Sequence, residues 1–332
     1  MNALVGDIGG TKTILAVFSN DTGPNKPLVE KTFSSVHYQD LETIIREFLA
    51  DVSLPISRAC FGIAGPILDG RARVTNLPWE VDAASLKSTF KWVAVELLND
   101  LEAVAYAVPI LEPQDVIALN TGKPIQGGHI AVLAPGTGLG EAFLTYGDGR
   151  YHAHPSEGGH VSFGPVGELQ VGLLKYLNQK GYSHVSYERV CSGLGIPNLY
   201  AYLKDTGYAD EPAWLTEKLA ASQDHTPIIF SAAQDPARPC QLATATLELF
   251  TAILGAESGN LALKVLSTGG IYLGGGIPPR ILPELHKPPF LEALRSKGRF
   301  RAMLTDMPVH VIKNAKAGLL GAAAFALKLP AS

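Results

Sequence analysis

The sequence has few cysteines, and this scarcity argues against two kinds of site. Only Cys60, Cys191 and Cys240 occur in 332 residues; they lie far apart and form no C-x-x-C pair. Disulfide frameworks and structural zinc sites both require clustered cysteines. We therefore expect free thiols and a reducing compartment, the cytoplasm.

The chain also lacks long uninterrupted apolar runs and basic clusters. Residues 244–265 contain Glu248, Glu257 and Asn260, and Ala317–Leu327 is too short to cross a bilayer. The opening letters MNALVGDIGG have no charged region followed by an apolar one, so we expect no signal peptide. The net charge of −4 and the dispersed basic residues favour neither a nucleic-acid nor a membrane partner.

What the chain has is size, apolar residues and glycine. Hydrophobic residues make up 46% of the sequence and glycine occurs 34 times. A chain of 332 residues exceeds what one core usually serves, so we predict two domains. We predict a small α/β domain from residues 1–110 plus about 312–332, and a large α+β domain from residues 111–311.

Two glycine-centred hairpins mark the two halves. Apolar runs at residues 3–8 and 13–18 flank Gly9 and Gly10, and runs at 129–134 and 141–146 flank the turn at 135–140. Short apolar strands that meet at glycine turns predict β-hairpins. We interpret the second hairpin as a weak repeat of the first in fold, within an α/β architecture. Helical spacing predicts helices at 40–51, 81–90, 101–111, 168–179, 187–192, 197–203, 214–221, 241–266 and 315–329.

The first turn could hold phosphate. It is not a Walker A loop, because a strand follows it rather than a helix. The backbone N–H groups of Gly9 and Gly10 and the hydroxyl of Thr11 can still bind phosphate oxygens, and Asp7 beside them suggests Mg²⁺ held through water. The alternative is an ordinary hairpin turn with a buried, satisfied Asp7.

The second turn has a similar composition. Gly136, Thr137 and Gly138 resemble a dinucleotide fingerprint, but that motif needs a helix directly after the glycines, and residues 141–146 are too short for one. Two glycine hairpins, one near the start of each domain, are better explained as two phosphate-binding turns that face a cleft.

Asn99 and Asp100 follow the predicted strand at 92–98. Active sites of open α/β sheets collect at the carboxyl ends of strands, where an Asp can accept a proton during phosphoryl transfer. The competing interpretation is that Asp100 only caps the helix behind it.

Three further segments offer polar groups. Glu157 and His160 are separated by two glycines, which excludes a helical metal motif and leaves a loop that could bind sugar hydroxyls. Glu188 lies in the first turn of a predicted helix that Ser186 could cap. The helix dipole favours an acidic residue there, which is enough to explain Glu188. Gly274 and Gly275 could let an adenine ring lie on bare backbone, or could form a strand-to-helix turn.

In order and spacing, these motifs resemble the bacterial glucokinase family. The resemblance covers essentially the whole chain and is carried by the segments GDIGGTKT, TNLPW, LNDLEA, PGTGLG, EGGH, YERVCSG and LGGGIP. The related repressor–open-reading-frame–kinase proteins carry a cysteine-rich zinc motif after the catalytic-site histidine. This chain has no cysteine between His160 and Cys191, which sets it apart from that group.

The resemblance implies an actin–hexokinase fold, two domains around a cleft, a homodimer, and ATP with Mg²⁺. It implies that Asp100 accepts the proton of the sugar 6-hydroxyl. It further implies sugar contacts by Asn99, Glu157, His160 and Glu188, phosphate and Mg²⁺ contacts by Asp7, Gly9, Gly10, Thr11, Gly136, Thr137 and Gly138, and adenosine contacts by Gly274 and Gly275.

Two alternatives stay open at this stage. The residues leave room for a kinase of fructose, mannose or an N-acetylhexosamine, because hydroxyl selectivity is decided in three dimensions. A sugar-sensing regulator without catalysis is disfavoured, because the first phosphate turn begins at residue 6 and leaves no room for a DNA-binding domain before it.

Overall fold

The computed structural model describes residues 1–329, and it contains fourteen strands and twelve α-helices in that range. The strands are β1 (Asn2–Ile8), β2 (Lys12–Ser19), β3 (Val29–Ser34), β4 (Ile56–Ile63), β5 (Ile67–Leu68), β6 (Arg71–Arg73), β7 (Glu80–Asp82), β8 (Ala94–Asn99), β9 (Val116–Asn120), β10 (Ile130–Pro135), β11 (Leu139–Gly147), β12 (Arg150–Ser156), β13 (Gly270–Leu273) and β14 (Val309–Ile312). The helices are α1 (Leu41–Ala50), α2 (Ala83–Phe90), α3 (Asp100–Ala107), α4 (Gly167–Gln179), α5 (Ile196–Asp205), α6 (Ala213–Ala220), α7 (Thr226–Gln234), α8 (Gln241–Val265), α9 (Leu282–Leu285), α10 (Pro288–Arg295), α11 (Arg301–Asp306) and α12 (Ala317–Ala326).

The chain divides into two compact units. Within the described residues, the first contains residues 1–116, 146–155 and 314–329, and the second contains residues 117–145 and 156–313. The predicted division placed residues 111–116 and 146–155 in the large domain, whereas in the structure they belong to the first unit. The predicted cleft between two domains stays a prediction.

The first unit is built on a five-stranded sheet with the order β3-β2-β1-β4-β8. β1 pairs antiparallel with β2 across the Gly9–Gly10 turn, which confirms the first predicted hairpin, and it pairs parallel with β4 on its other side. A separate small sheet has the order β5-β6-β7. Strands β1, β4 and β8 run parallel to one another, so their carboxyl ends lie at the same edge of the sheet.

A six-stranded sheet, with the order β12-β11-β10-β13-β14-β9, repeats this plan. β10 pairs antiparallel with β11 and parallel with β13, which in turn pairs parallel with β14. An antiparallel hairpin followed by parallel strands therefore occurs twice, which confirms the predicted repeat. The long helix α8 is buried on nearly all its faces at the centre of the second unit.

Helix α12 closes the first unit. It is Ala-rich, with Leu319, Ala322, Ala323 and Ala326 almost fully buried, and it packs against α3. Small side chains permit this close approach of two helix backbones. The C-terminal helix predicted from the sequence thus contributes to the same unit as the N-terminal strands.

Three predicted helices differ from the structure. Residues 187–192 form only a short 3₁₀ turn at Tyr187–Arg189, without a side-chain cap from Ser186. The backbone leaves the helical conformation at Val190, which has φ −131° and ψ −8°. The predicted helix at 81–90 begins as strand β7, and the one at 101–111 ends at Ala107, ahead of Pro109.

Within residues 1–329, no helix combines the length and the apolar character needed to cross a membrane. The three cysteines are free and buried, as expected from their spacing.

Candidate active site

The first glycine turn is fixed by backbone and by a buried serine. Gly9 N–H donates to the Lys12 carbonyl at 3.0 Å, and the Ser35 hydroxyl donates to the Gly9 carbonyl at 2.8 Å. A Cβ on Gly10 would lie 2.8 Å from the Thr75 carbonyl oxygen, so only glycine fits there. Thr11 is exposed beside this turn. Ser35 was not predicted as part of this turn, because it follows β3 and is distant from Gly9 along the chain.

Asp7 and Asp100 form a pair of acids in the first unit. Asp7 lies near the end of β1, and Asp100 is the exposed first residue of α3, directly after β8. Burial and the neighbouring Asp100 raise the pKa of Asp7 to about 6, against the opposing charge of Lys12. A Cβ on Gly318, in the first turn of α12, would lie 3.8 Å from the Asp7 carboxylate. The N-termini of α3 and α12 therefore lie beside these acids.

Asn99, rather than Asp100, holds the N-cap position of α3. Its Oδ1 accepts from Leu101 N–H at 3.0 Å, and its amide donates to the Gly65 carbonyl at 3.1 Å. The interpretation of Asp100 as the N-cap residue is therefore wrong by one position. Asp100 Oδ1 also accepts from Leu101 N–H at 2.8 Å, as a side chain in the first helical turn can.

The second glycine turn lies in the second unit. Gly136 N–H donates to the Gly138 carbonyl at 2.9 Å, and Thr137 is exposed at its tip. Gly193 N–H donates to the Gly136 carbonyl at 2.8 Å, and Leu194 N–H to the Thr137 carbonyl at 3.2 Å. The segment after the 3₁₀ turn at Tyr187–Arg189 thus supports the outer side of the glycine turn.

Glu188 belongs to this glycine turn and not to a helix. Its Oε2 accepts from Leu139 N–H at 3.1 Å, and a Cβ on Gly138 would collide with the same carboxylate. The prediction that a helix dipole alone explains Glu188 is wrong, because its partner is the start of β11. Glu188 is half-buried.

Glu157 and His160 flank a turn made of two buried glycines. Their side chains are 77% and 60% exposed, with Glu157 Oε2 and His160 Nε2 3.9 Å apart. Gly158 and Gly159 are buried, and a Cβ on Gly159 would collide with the Leu139 carbonyl. The glycines therefore let the turn lie directly on β11, which leaves both polar side chains free to bind a ligand.

Gly274 and Gly275 lie at the end of β13 beside the second glycine turn. Gly274 N–H donates to the Leu133 carbonyl at 2.8 Å. Gly275 has φ +79°, and a Cβ on it would lie 2.6 Å from the Pro135 carbonyl. A side chain at this residue would be strained by its backbone conformation and blocked by β10, so the glycine is required.

A cavity of about 500 Å³ lies on the same unit, and the sequence analysis did not identify it. It is lined by Pro227, Phe230, Ser231, Gln234, Asp235 and Arg280. Thr226, next to it, donates to the Gly193 carbonyl at 2.7 Å, and Gly193 contacts Gly136. On the other side, Arg280 N–H donates to the Ile277 carbonyl, close after Gly275. The cavity therefore lies close to both glycine segments of the second unit.

The predicted site residues thus fall into two groups. Within the first unit the structure brings together Asp7 and Asp100, and it gives Gly9, Gly10, Thr11 and Asn99 defined roles in neighbouring turns. Within the second unit it brings together Gly136, Thr137, Gly138, Glu188, Gly274 and Gly275, with the turn that carries Glu157 and His160 packed on the same strand, β11.

Comparisons with known proteins agree in one family. A family profile described as Glucokinase matches residues 4–329. The chain is similar to the glucokinase of Nostoc punctiforme, with 40% identity over 337 aligned positions that cover 98% of this chain and 99% of the relative. It is also similar to the solved glucokinase from an Antarctic psychrotroph, with TM-score 0.82, 32% identity and 98% of each chain covered. A glucokinase from Balamuthia mandrillaris, solved with glucose, gives TM-score 0.75 and 25% identity over 98% of this chain and 93% of the other.

Proposed function

This chain belongs to the glucokinase family, and on that premise we propose how its own residues carry out the reaction. Members of this family are ATP-dependent hexose kinases, and the chain shares the actin-like ATPase/hexokinase fold of its structural neighbours. The substrate we assign is glucose, which takes the γ-phosphate of ATP on its 6-hydroxyl to give glucose 6-phosphate and ADP.

We propose Asp100 as the general base. It would accept the proton of the sugar 6-hydroxyl as that oxygen bonds to the γ-phosphorus and the bond to the β–γ bridging oxygen breaks. The observation that carries this proposal is the place of Asp100 at the end of β8, exposed and beside Asp7. Because Asn99 already occupies the N-cap position, Asp100 is not required for capping.

The phosphates and Mg²⁺ are assigned to the two glycine turns and to Asp7. Two acids close enough to raise the pKa of Asp7 fit a divalent cation, since a positive charge between them would relieve their repulsion. No group of three or more His, Cys, Asp or Glu within residues 1–329 could hold a metal alone, so we assign contact through water. Bound Mg²⁺ supplies charge neutralisation on the phosphates.

We assign sugar recognition to Asn99, Glu157, His160 and Glu188. Glu157 and His160 present exposed acceptor and donor groups on a turn that β11 holds in place. Buried or oriented polar groups reject sugars that would leave them unpaired, which is how a site of this kind selects among hexoses.

The adenosine is assigned to the Gly274–Gly275 segment and the adjoining cavity. Ser231, Gln234 and Asp235 line this cavity and carry hydrogen-bonding groups. We also propose that the protein is cytoplasmic, which its free, buried cysteines support, and that it is a homodimer, as the family resemblance implies.

The decisive experiment is the variant Asp100→Ala, measured for glucose phosphorylation and for glucose binding. We expect kcat to fall by about 10²–10⁴-fold, because the proton acceptor is lost. Glucose binding measured by titration calorimetry should be retained, because the hydroxyl ligands of the second unit are intact.

Asp82→Ala is a matched control. Asp82 caps α2 in the same unit by accepting from Ser85 N–H at 3.0 Å, so its removal should lower stability modestly without changing kcat. If Asp100→Ala turned over glucose at a rate close to that of the parent, Asp100 would not be the base.

A further inference from the structure

Two buried acids lie behind the sugar-binding turns of the second unit. Glu141, on β11, is 2% exposed, and Glu257, on α8, is fully buried. Neither belongs to the glycine turns or to the residues assigned to the sugar. Burying one carboxylate is costly and burying two near each other is more so, unless partners or a proton neutralise them.

Glu257 has such partners. Its Oε2 accepts from Asn260 Nδ2 at 2.8 Å, and its Oε1 lies 3.6 Å from Lys264 Nζ. The hydroxyl of Tyr187 donates to Glu257 and accepts from Asn260 Nδ2 at 2.9 Å. Lys297 Nζ donates to Asn260 Oδ1 at 2.5 Å. One oxygen of Glu257 is therefore held in a polar network, whereas its buried Oε1 makes no hydrogen bond and has only the ion pair with Lys264.

Glu141 is placed differently. Within the described residues 1–329, its buried Oε1 has no hydrogen-bond partner. Its Oε2 faces Gly158, where a Cβ would collide with it. Burial and the nearby Glu257 raise the pKa of Glu141 to about 8, against the opposing charge of Lys264. The neutral acid is the form that this environment stabilises at neutral pH.

Among the described residues, the groups around Glu141 other than Lys264 offer no counter-charge. Cys191 is buried, and its thiol pKa is raised by burial, Glu257 and Glu141. Burial and Glu257 also raise the pKa of the Tyr187 phenol, so it stays neutral. Burial lowers the pKa of Lys297, whose ammonium is directed to Asn260.

The pair lies where the sugar-binding segments meet. Two residues before Glu141, Leu139 bonds Glu188 through its N–H and contacts Gly159 at its carbonyl. Tyr187, which bonds Glu257, directly precedes Glu188. The turn between Glu157 and His160 rests on Glu141 through Gly158. A change in charge at Glu141 would therefore act on all of these segments.

We propose that Glu141 is a positioning residue for glucose binding: as the neutral acid it lets the Gly158–Gly159 turn lie on β11, and as the anion it displaces that turn. The proposal rests on the proposed function, because the turn carries Glu157 and His160. An anion at Glu141 would need water or another hydrogen-bond donor, and the backbone that lies against its Oε2 is that of Gly158 in this turn.

The variant Glu141→Gln tests this, since an amide of the same shape stays neutral at every pH. We would measure KM for glucose, KM for ATP and kcat in parent and variant from about pH 6 to about pH 10. For the parent, KM for glucose should rise once the pH exceeds the value at which Glu141 loses its proton, by up to about tenfold per pH unit. KM for ATP should change less over the same range. For Glu141→Gln, KM for glucose should stay near the low-pH value of the parent throughout.

Controls separate this effect from loss of structure. Glu217→Gln, on the exposed face of α6, should keep the pH profile of the parent. Thermal unfolding should show that Glu141→Gln is folded and no less stable than the parent at neutral pH. If both proteins showed the same rise in KM with pH, or if Glu141→Gln raised KM equally at every pH, the proposal would fail. Failure of the parent to phosphorylate glucose at any pH would instead refute the proposed function.

Discussion

At the scale of single residues, Asp7 is the clearest case of a group held in an unfavourable state. Its carboxylate is partly removed from water and lies near Asp100, and both effects disfavour its charge. The folded protein therefore binds a proton at Asp7 more tightly than the unfolded chain, whose reference pKa is 3.8. The contribution of the Asp7 proton to the free energy of unfolding is complete below pH 3.8, and it is lost as the pH rises to about 6.

We predict that Asp7→Asn stabilises the metal-free protein and impairs catalysis. Near pH 7.5 the variant lacks the buried charge, so its free energy of unfolding should exceed that of the parent by on the order of 1–2 kcal/mol after allowance for solvent screening. The difference should shrink as the pH falls below about 6, where the parent also becomes neutral. Thermal unfolding across this pH range measures it.

Mg²⁺ supplies the control for this prediction. The ion should raise the melting temperature of the parent more than that of Asp7→Asn, and the variant should need more Mg²⁺ for half-maximal turnover. Equal stability of the two proteins at every pH would mean that Asp7 is not under electrostatic strain.

The sequence was a better guide to which residues lie at turns and strand ends of the candidate site than to the residues that they contact. Gly9, Gly136 and Asp100 follow from glycine turns and strand ends that a local pattern reveals. It could not be predicted that Asn99 rather than Asp100 holds the N-cap position, because helix boundaries are uncertain by one or two residues. Ser35, Glu141 and the cavity depend on neighbours brought close by folding, which no local pattern encodes.

At the scale of elements, the contact between α12 and α3 links the C-terminal helix to the start of the site. A Cβ on Gly321 would collide with the Ala103 carbonyl and lie 2.7 Å from Ala107 N. The backbones of the two helices are therefore closer there than any larger residue allows. Because α3 begins with Asp100, a shift of α3 would also move the proposed base.

We predict that Gly321→Ala lowers the free energy of unfolding by about 1–3 kcal/mol or more, because the added methyl overpacks the helix contact. Chemical denaturation measures this loss, and kcat should fall with it. Gly318→Ala is the matched control in the same helix. Its Cβ would meet only ordinary contact, at 3.8 Å from Asp7, so its stability should be equal or higher. Equal losses in both variants would refute the packing argument.

Elements with a strong local period or clear glycine boundaries were predictable. Helix α1 follows from its apolar spacing, and both hairpins follow from their glycines. Helix α7, with the sequence TPIIFSAAQ, was missed although Pro227 in its first turn is a common helix-start residue. The segment at 187–192 was predicted as a helix, but long-range bonds to the second glycine turn hold it in another form.

At the scale of the whole molecule, each of the two units has its own buried core, and most strands of the six-stranded sheet belong to the second unit. The assignment of residues 146–155 to the first unit was not predictable, because the chain leaves the second unit within β11 and returns to it at the end of β12. The fold class followed from the order of motifs, whereas quaternary structure leaves no comparable local signal.

Our last prediction concerns the homodimer. On the second unit, Val161, Val166 and Leu169 are 40%, 58% and 38% exposed within nine residues of sequence, and we propose that a second copy covers these apolar side chains. A two-fold axis would bring the same surface of both copies together, so like charges placed there would repel. Sedimentation should give 70.4 kDa, twice the chain mass of 35.2 kDa.

The double variant Val166→Glu, Leu169→Glu should sediment as a monomer, because it places four carboxylates across the axis. Leu68→Glu is the matched control, since Leu68 is 74% exposed but lies on the first unit, and this variant should stay dimeric. A parent that sediments at the mass of one chain at every concentration would contradict the dimer. A double variant that stays dimeric would contradict this interface, because a two-fold contact through Val166 and Leu169 cannot bury four like charges without partners.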